Sequence, residues 1–131
     1  DEVYQTPEIY GLAYVQVVGG NTTRPTATVQ LNYKKDLLEK ASTGAGPVDA
    51  IYLAIEDLIG EKVNLVDYVI HAVTEGTDAL GEVTVRIQSE DRMFTGRGAS
   101  LDVLVASAKA YIEAVNKMLH HRNKKRKKPI L

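Results

Sequence analysis

The sequence predicts an α+β fold of two tandem β-β-β-α units, an antiparallel sheet with helices on one face. Three observations carry this. First, two stretches alternate with the period of a half-buried strand: Ala27, Val29, Leu31 and Tyr33 inward against Thr26, Thr28, Gln30 and Asn32, and Val83, Val85 and Ile87 inward between Glu82 and Gln88. Second, the stretches after Pro47 and after Ser100 repeat apolar residues at helical spacing. Third, the halves superpose at an offset of 54, which matches Tyr14 with Tyr68, Val29 with Val83, Leu31 with Val85 and Gly44 with Gly98.

The elements follow in order. Residues 1–9, broken by Pro7, read as a linker or arm. Tyr10 to Val18 is a strand with Leu12, Tyr14, Gln16 and Val18 on one face and Ala13, Val15 and Val17 on the other. Gly19-Gly20-Asn21 ends it, and Pro25 closes a turn-rich link. Thr26 to Tyr33 is the second strand, Lys34-Lys35-Asp36 a hairpin turn and Leu37 to Ser42 a short third strand. A helix starts at Pro47, carries Val48, Ile51, Ile55 and Leu58 on one face, and stops at Gly60. The second unit repeats this: a strand over Leu65 to Thr74, a turn at Gly76-Thr77-Asp78, a strand over Glu82 to Gln88, a turn at Glu90-Asp91-Arg92 and a short strand over Met93 to Thr95. Gly96-Arg97-Gly98 then reads as a second glycine loop, and Ser100 as the cap of a helix with core stripe Leu101, Leu104, Val105, Ala108, Ile112, Val115 and Leu119. Alanines at 106, 108 and 110 let another element come close. Residues 10–119 thus form one body of two repeats, about 10–60 and 63–119, and 120–131 a basic tail. One three-stranded sheet with one helix makes a poor core alone, so dimerisation is expected.

At 131 residues, 44% apolar and 25% charged, the chain is one domain large enough to bury roughly two-thirds of its unfolded surface. The absence of cysteine excludes a disulfide framework and thiolate chemistry and favours a cytoplasmic location. No apolar run reaches the length of a membrane span and no signal peptide is evident, so no membrane partner is expected. The chain opens at Asp1 and reads as an excised piece of something longer. Its formal net charge of −1 hides a split, because Arg122, Lys124, Lys125, Arg126, Lys127 and Lys128 crowd the end. Setting them aside leaves ten basic against seventeen acidic groups. A nucleic-acid-binding fold carries its cations on the folded surface. Here they form a solvated terminus, with contact to RNA, an anionic surface or an acidic partner as the rival, and nucleic acid is not the expected partner.

Catalytic groupings are missing. His120 and His121 are adjacent, so their side chains diverge on a helix, and His71 has no second histidine at ligand spacing. Gly44–Gly46 fails the dinucleotide fingerprint because Asp49 stands at its last glycine position, and no Gly-Lys-Ser/Thr follows to make a phosphate loop. The run from Gly44 to Ile51 has two readings. One is a tight strand-to-helix turn. The other is an anion site, with glycines leaving room and the first helical amides pointing at a carboxylate or phosphate. With the apolar strand from Leu65 to Ala72 and the carboxylate of Asp78, that second reading fits a free amino acid.

The runs Gly44-Ala45-Gly46-Pro47-Val48-Asp49-Ala50, Leu65-Val66-Asp67-Tyr68, Gly76-Thr77-Asp78-Ala79-Leu80-Gly81-Glu82-Val83, Gly96-Arg97-Gly98, Asp102-Val103, Ala106 to Tyr111 and Ala114-Val115-Asn116 resemble the C-terminal regulatory domain of 2-isopropylmalate synthase. The regulatory domain of citramalate synthase is its close relative. The resemblance covers residues 10 to 119 and implies a non-catalytic homodimeric domain, without a cofactor of its own, that binds leucine as a feedback inhibitor, or isoleucine in citramalate synthase. It implies as further partner the catalytic TIM barrel of the same polypeptide, an acyltransferase that condenses acetyl-CoA with a 2-oxo acid (2-oxoisovalerate for isopropylmalate) and uses a divalent metal. Carried over by motif, Gly44, Gly46, Pro47 and Val48 bind the effector from the loop beside Ile51, Leu65, Tyr68 and Ala72 line the pocket, and Asp78 and Ala79 close it. Assigning the effector's ammonium to Asp78 is a physical inference, with turn-capping as its rival. An assembly module that binds no ligand is the reading from another class.

Overall fold

The computed structural model describes residues 6–72 and 80–127. Its elements run β1 (Tyr10–Gly20), β2 (Thr23–Tyr33), β3 (Asp36–Thr43), α1 (Pro47–Ile59), β4 (Asn64–Ala72), β5 (Gly81–Ser89), β6 (Arg92–Ser100) and α2 (Val103–Lys127). Two antiparallel sheets result, in the orders β1-β2-β3 and β4-β5-β6, each followed by its helix. The expected α+β architecture of two β-β-β-α units is therefore the observed one.

The two alternating strands are the centres of their sheets, and their inward residues Ala27, Val29, Leu31, Val83, Val85 and Ile87 are fully buried. α1 lies over β2 and β3, and α2 over β6 and β5, with further contacts to β1 and α1. Ile51 and Ile55 are the buried face of α1, flanked by half-buried Val48 and Leu58, as the helical spacing requires. Gly60 closes α1 in the left-handed conformation (φ 80°, ψ 21°), its amide bonded to the Glu56 carbonyl.

Several local expectations are corrected. Pro25 lies inside β2, not in a link before it. In β1 a register shift between Leu12 and Tyr14 puts Leu12 on the core side with Val15 and Val17, while Tyr14, Gln16 and Val18 face out. A bulge flips the facing of everything beyond it, and single-sequence alternation does not reveal one.

Gly96-Arg97-Gly98 is the middle of β6, not a loop. A Cβ on Gly98 would overlap the Ala106 carbonyl and stand 2.7 Å from the Ala110 amide nitrogen, and one on Gly96 would stand 2.5 Å from that of Ala114. The glycines let the α2 backbone rest on the strand, and the alanines at 106, 108 and 110, all fully buried, complete that approach. Leu101 is exposed and precedes α2. The cap is Asp102, whose Oδ1 accepts from the Leu104 amide at 2.8 Å, while Ser100 Oγ accepts from the Asp102 amide. α2 continues through Lys127, so the described part of the basic segment is helical. There Arg122 donates to both carboxylate oxygens of Glu61, at 2.9 and 3.2 Å.

Candidate functional site

The loop into α1 is pinned to β2. The Gly44 amide donates to the Pro25 carbonyl at 3.1 Å, and Arg24 Nε approaches the Gly44 carbonyl at 3.4 Å. A side chain on Gly44 would run into the backbone of Asp49 and Ala50, so this glycine is dictated by packing. Gly46 differs. It is the α1 N-cap in extended backbone (φ −148°, ψ 176°) that any residue adopts, and a Cβ there would meet nothing within 4 Å. It brings no side chain to accept from the amides of Val48 and Asp49, the role Ser, Thr or Asp has at an N-cap. Pro47 begins the helix. The carboxylate of Asp49 turns back and accepts from the Ala45 amide at 2.8 Å, which places a negative charge beside the loop.

The strand side of the site is β4. Tyr68 reaches across to both helices: its ring meets Tyr52 of α1 edge-on at 6.3 Å, and its hydroxyl stands 2.7 Å from Ser107 Oγ of α2. Ser107 Oγ gives its single proton to the Val103 carbonyl at 2.7 Å, so the Tyr68 hydroxyl is the donor of this bond. Tyr52 donates to the Ser107 carbonyl at 3.0 Å and stacks on Tyr111 at 3.9 Å. Burial, and next the neighbouring Tyr68, push the Tyr52 hydroxyl far above its ordinary pKa; burial, and next Glu56, do the same to Tyr111. Both phenols stay protonated at every physiological pH.

Val48 lies one turn before Tyr52, and residues four apart share a helix face. Tyr52, one turn along α1 from Val48, is thus the residue through which this helix meets Tyr68. Ile51, by contrast, is fully buried in the core of the single chain, and Leu65 is exposed on β4. Ala72 ends β4, and its side chain lies outside what the structure describes, as do Asp78 and Ala79 entirely. Two surface clefts, of about 640 and 440 Å³, are lined by other residues: one by residues 6–12 with β6 and α2, the other by the β5–β6 turn with the end of α2. Among the described residues no group of three or more His, Asp or Glu side chains is placed to hold a metal ion, and no helix is long and apolar enough to cross a membrane.

Ser107, Tyr52 and Asn116 were not visible as site or joint residues from sequence. Asn116 accepts from the Tyr10 amide and donates to the Tyr10 carbonyl, both at 2.9 Å, and so ties β1 to α2. The available signal was polarity out of place: a serine inside an alanine run and an asparagine inside an apolar stripe.

Residues 1–119 match the model of the LeuA allosteric (dimerisation) domain. The chain belongs to this family. Relatives of the LeuA domain described here include 2-isopropylmalate synthases from Heliobacterium modesticaldum (48% identical over 119 residues, 91% of this chain and 23% of the relative), Syntrophus aciditrophicus (45% over 118 residues, 90% and 23%) and Brevibacillus brevis (52% over 117 residues, 88% and 23%). The chain thus spans about a quarter of the length of these relatives, and it corresponds to the regulatory domain that the sequence resembles.

Proposed function

We propose that this LeuA domain is the allosteric domain of a cytoplasmic 2-isopropylmalate synthase, that it forms a homodimer, and that it binds leucine as feedback inhibitor. The catalytic barrel of the same polypeptide then performs the acetyl transfer to 2-oxoisovalerate and holds the divalent metal. The observation that carries the reading is Gly46, a helix N-cap with open space around it and no side-chain cap; Tyr52, one turn along that helix from Val48, meets Tyr68 edge-on. An amino acid's carboxylate suits the Val48 and Asp49 amides at the positive end of α1, and its side chain suits the apolar surface of Val48 and Leu65. Binding acts on the distant barrel only through unequal affinity for two states, typically about 1–3 kcal/mol of coupling.

The test is titration calorimetry of the 131-residue chain with leucine, isoleucine and valine. Leucine is expected to give saturable heat and valine far less. Isoleucine in first place would reassign the chain to the citramalate synthase type. A Gly46→Asp variant should lose the heat and keep the folded dimer, because its charge repels the ligand carboxylate while aspartate is a good N-cap. A second reading is favoured by Asp49, whose carboxylate already occupies the Ala45 amide: a module that dimerises and takes no effector. It predicts no heat with any of the three and a melting temperature indifferent to them.

A further inference from the structure

Each sheet has two edges, and an edge is an open template for a further strand unless something blunts it. The four edges differ in how far they are closed. Along β6, Lys117 donates to the Thr95 carbonyl at 2.7 Å, Glu113 accepts from the Arg97 amide at 2.6 Å, and Lys109 Nζ stands 3.5 Å from the Ala99 carbonyl. These side chains, one per turn of α2, meet every second residue of the strand. β1 is held by Asn116 at its first residue, Tyr10, while Tyr14 and Val18 further along are exposed. β3 carries Asp36, Glu39 and Lys40 in an eight-residue strand.

β4 is different. Leu65, Val66, Val69 and Ile70 are 40%, 45%, 37% and 55% exposed on this one strand. Leu65, Tyr68 and Ile70 pair with Ile87, Val85 and Val83, so they share the sheet face that carries the core, yet α2 lies over β5 and β6 instead of β4. The Tyr68 amide is held at 3.0 Å by the side chain of its own neighbour Asp67, an acceptor that a strand carbonyl can replace.

We propose that β4 is the interface between two copies of this chain, paired antiparallel about a twofold axis through Val69 into a continuous six-stranded sheet. This rests on the homodimer reading and names its surface. Facing residues of an antiparallel ladder lie on the same face, so a twofold axis normal to the sheet must pass through one residue of the strand. Centred on Val69, the register sets Tyr68 against Ile70 of the partner subunit and Asp67 against His71 of the partner subunit, and it repeats both pairs by symmetry. Centred on Asp67, it opposes two carboxylates. Centred on Tyr68, it sets Asp67 against Val69 and His71 against Leu65; centred on Ile70, it sets His71 against Val69. Only the Val69 register matches apolar with apolar and acid with base.

The chain has no cysteine, so a single Val69→Cys substitution gives a clean readout. Across the axis the two thiols would face each other at the close Cα spacing of an antiparallel pair, within disulfide reach. Under mild oxidation Val69→Cys is expected to run almost wholly as a reducible dimer on a denaturing gel. Leu53→Cys and Met93→Cys, exposed on α1 and β6, should remain monomeric. Separately, Val69→Lys should halve the mass found by sedimentation equilibrium with the circular dichroism of the folded chain retained. If the parent chain has dimer mass but Val69→Cys links no better than Met93→Cys and Val69→Lys stays dimeric, the interface lies elsewhere and this inference is overturned while the homodimer stands. If the parent chain is monomeric at every concentration measured, the homodimer reading itself fails.

Discussion

Replacing Gly98 by alanine tests the packing that defines the second unit. The added carbon would overlap the Ala106 carbonyl oxygen and stand 2.7 Å from the Ala110 amide nitrogen and 2.8 Å from Lys109 Cβ. Two of these obstacles are helix backbone, so trimming a side chain of α2 does not relieve the overlap, and α2 must retreat from β6 by roughly an ångström. Overpacking of this kind costs typically 1–3 kcal/mol. With backbone as the obstacle, the upper end applies, about 3 kcal/mol, a large share of the 5–15 kcal/mol that holds a domain together. For a chain of this size that lowers the melting temperature by roughly 10 °C. The assay is urea denaturation followed by far-ultraviolet circular dichroism, run beside the parent at one fixed protein concentration, because any dimer makes stability concentration-dependent. Gly46→Ser is the control, since nothing lies within 4 Å of a Cβ there. A Gly98→Ala midpoint within about 0.5 kcal/mol of the parent, the range of an ordinary surface change, would mean that α2 does not rest on β6.

Gly46→Asp is expected to leave stability unchanged or raise it by a few tenths of a kcal/mol, as an N-cap gain, which thermal melts without ligand will read. Tyr68→Phe and Ser107→Ala should show a coupling of about 1 kcal/mol in a double-mutant cycle by urea titration, the net value of one hydrogen bond; strictly additive effects would break the link between β4 and α2. Stability should also fall on the alkaline side. The folded-state pKa values of Tyr52 and Tyr111 are raised by burial, so above about pH 10 the unfolded chain releases protons that the folded chain retains. The stabilisation is complete below pH 10 and is lost as pH rises towards the folded values, at up to about 2.7 kcal/mol per pH unit for the pair. Tyr52→Phe, which has no proton to lose, should flatten the slope by half.

The sheet centres were legible because one face of β2 and β5 is covered end to end, and a residue's burial there follows from its parity alone. The first face of α1 was legible for the same reason. β1 was misread at Leu12 because a bulge changes parity without changing composition. Gly96 and Gly98 were misread as a loop because glycine signals missing side-chain volume as well as turning, and only the partner element tells which. Here the partner is α2, whose alanines at 106, 108 and 110 are the complementary half of the same close approach. The candidate site was legible only in part. Gly46 and Tyr68 are placed by contacts within the chain, whereas Leu65 is exposed on β4, and periodicity alone does not tell a covered strand face from an uncovered one.

The two repeats are not independent halves laid side by side. Ser107 receives the Tyr52 hydroxyl on its carbonyl and the Tyr68 hydroxyl on its side chain, so one residue of α2 is bonded to α1 and to β4 at once. Asn116, nine residues on, holds the first residue of β1 through both of its backbone groups. α2 is therefore the member to which both sheets are fastened, and it is buried at ten of the thirteen positions from Ala106 to Met118. A displacement of α1 along its axis must break or drag the Tyr52 bond, and with it the element that carries Tyr68. Under the proposed function the effector's carboxylate sits at the N-terminal end of α1, one turn from Tyr52. If β4 is also the dimer seam, α1 is joined to it both by the Tyr52–Tyr68 ring contact and through the buried Ser107. That arrangement allows a change of a few hydrogen bonds to alter how two copies meet, without any change in the sheets themselves.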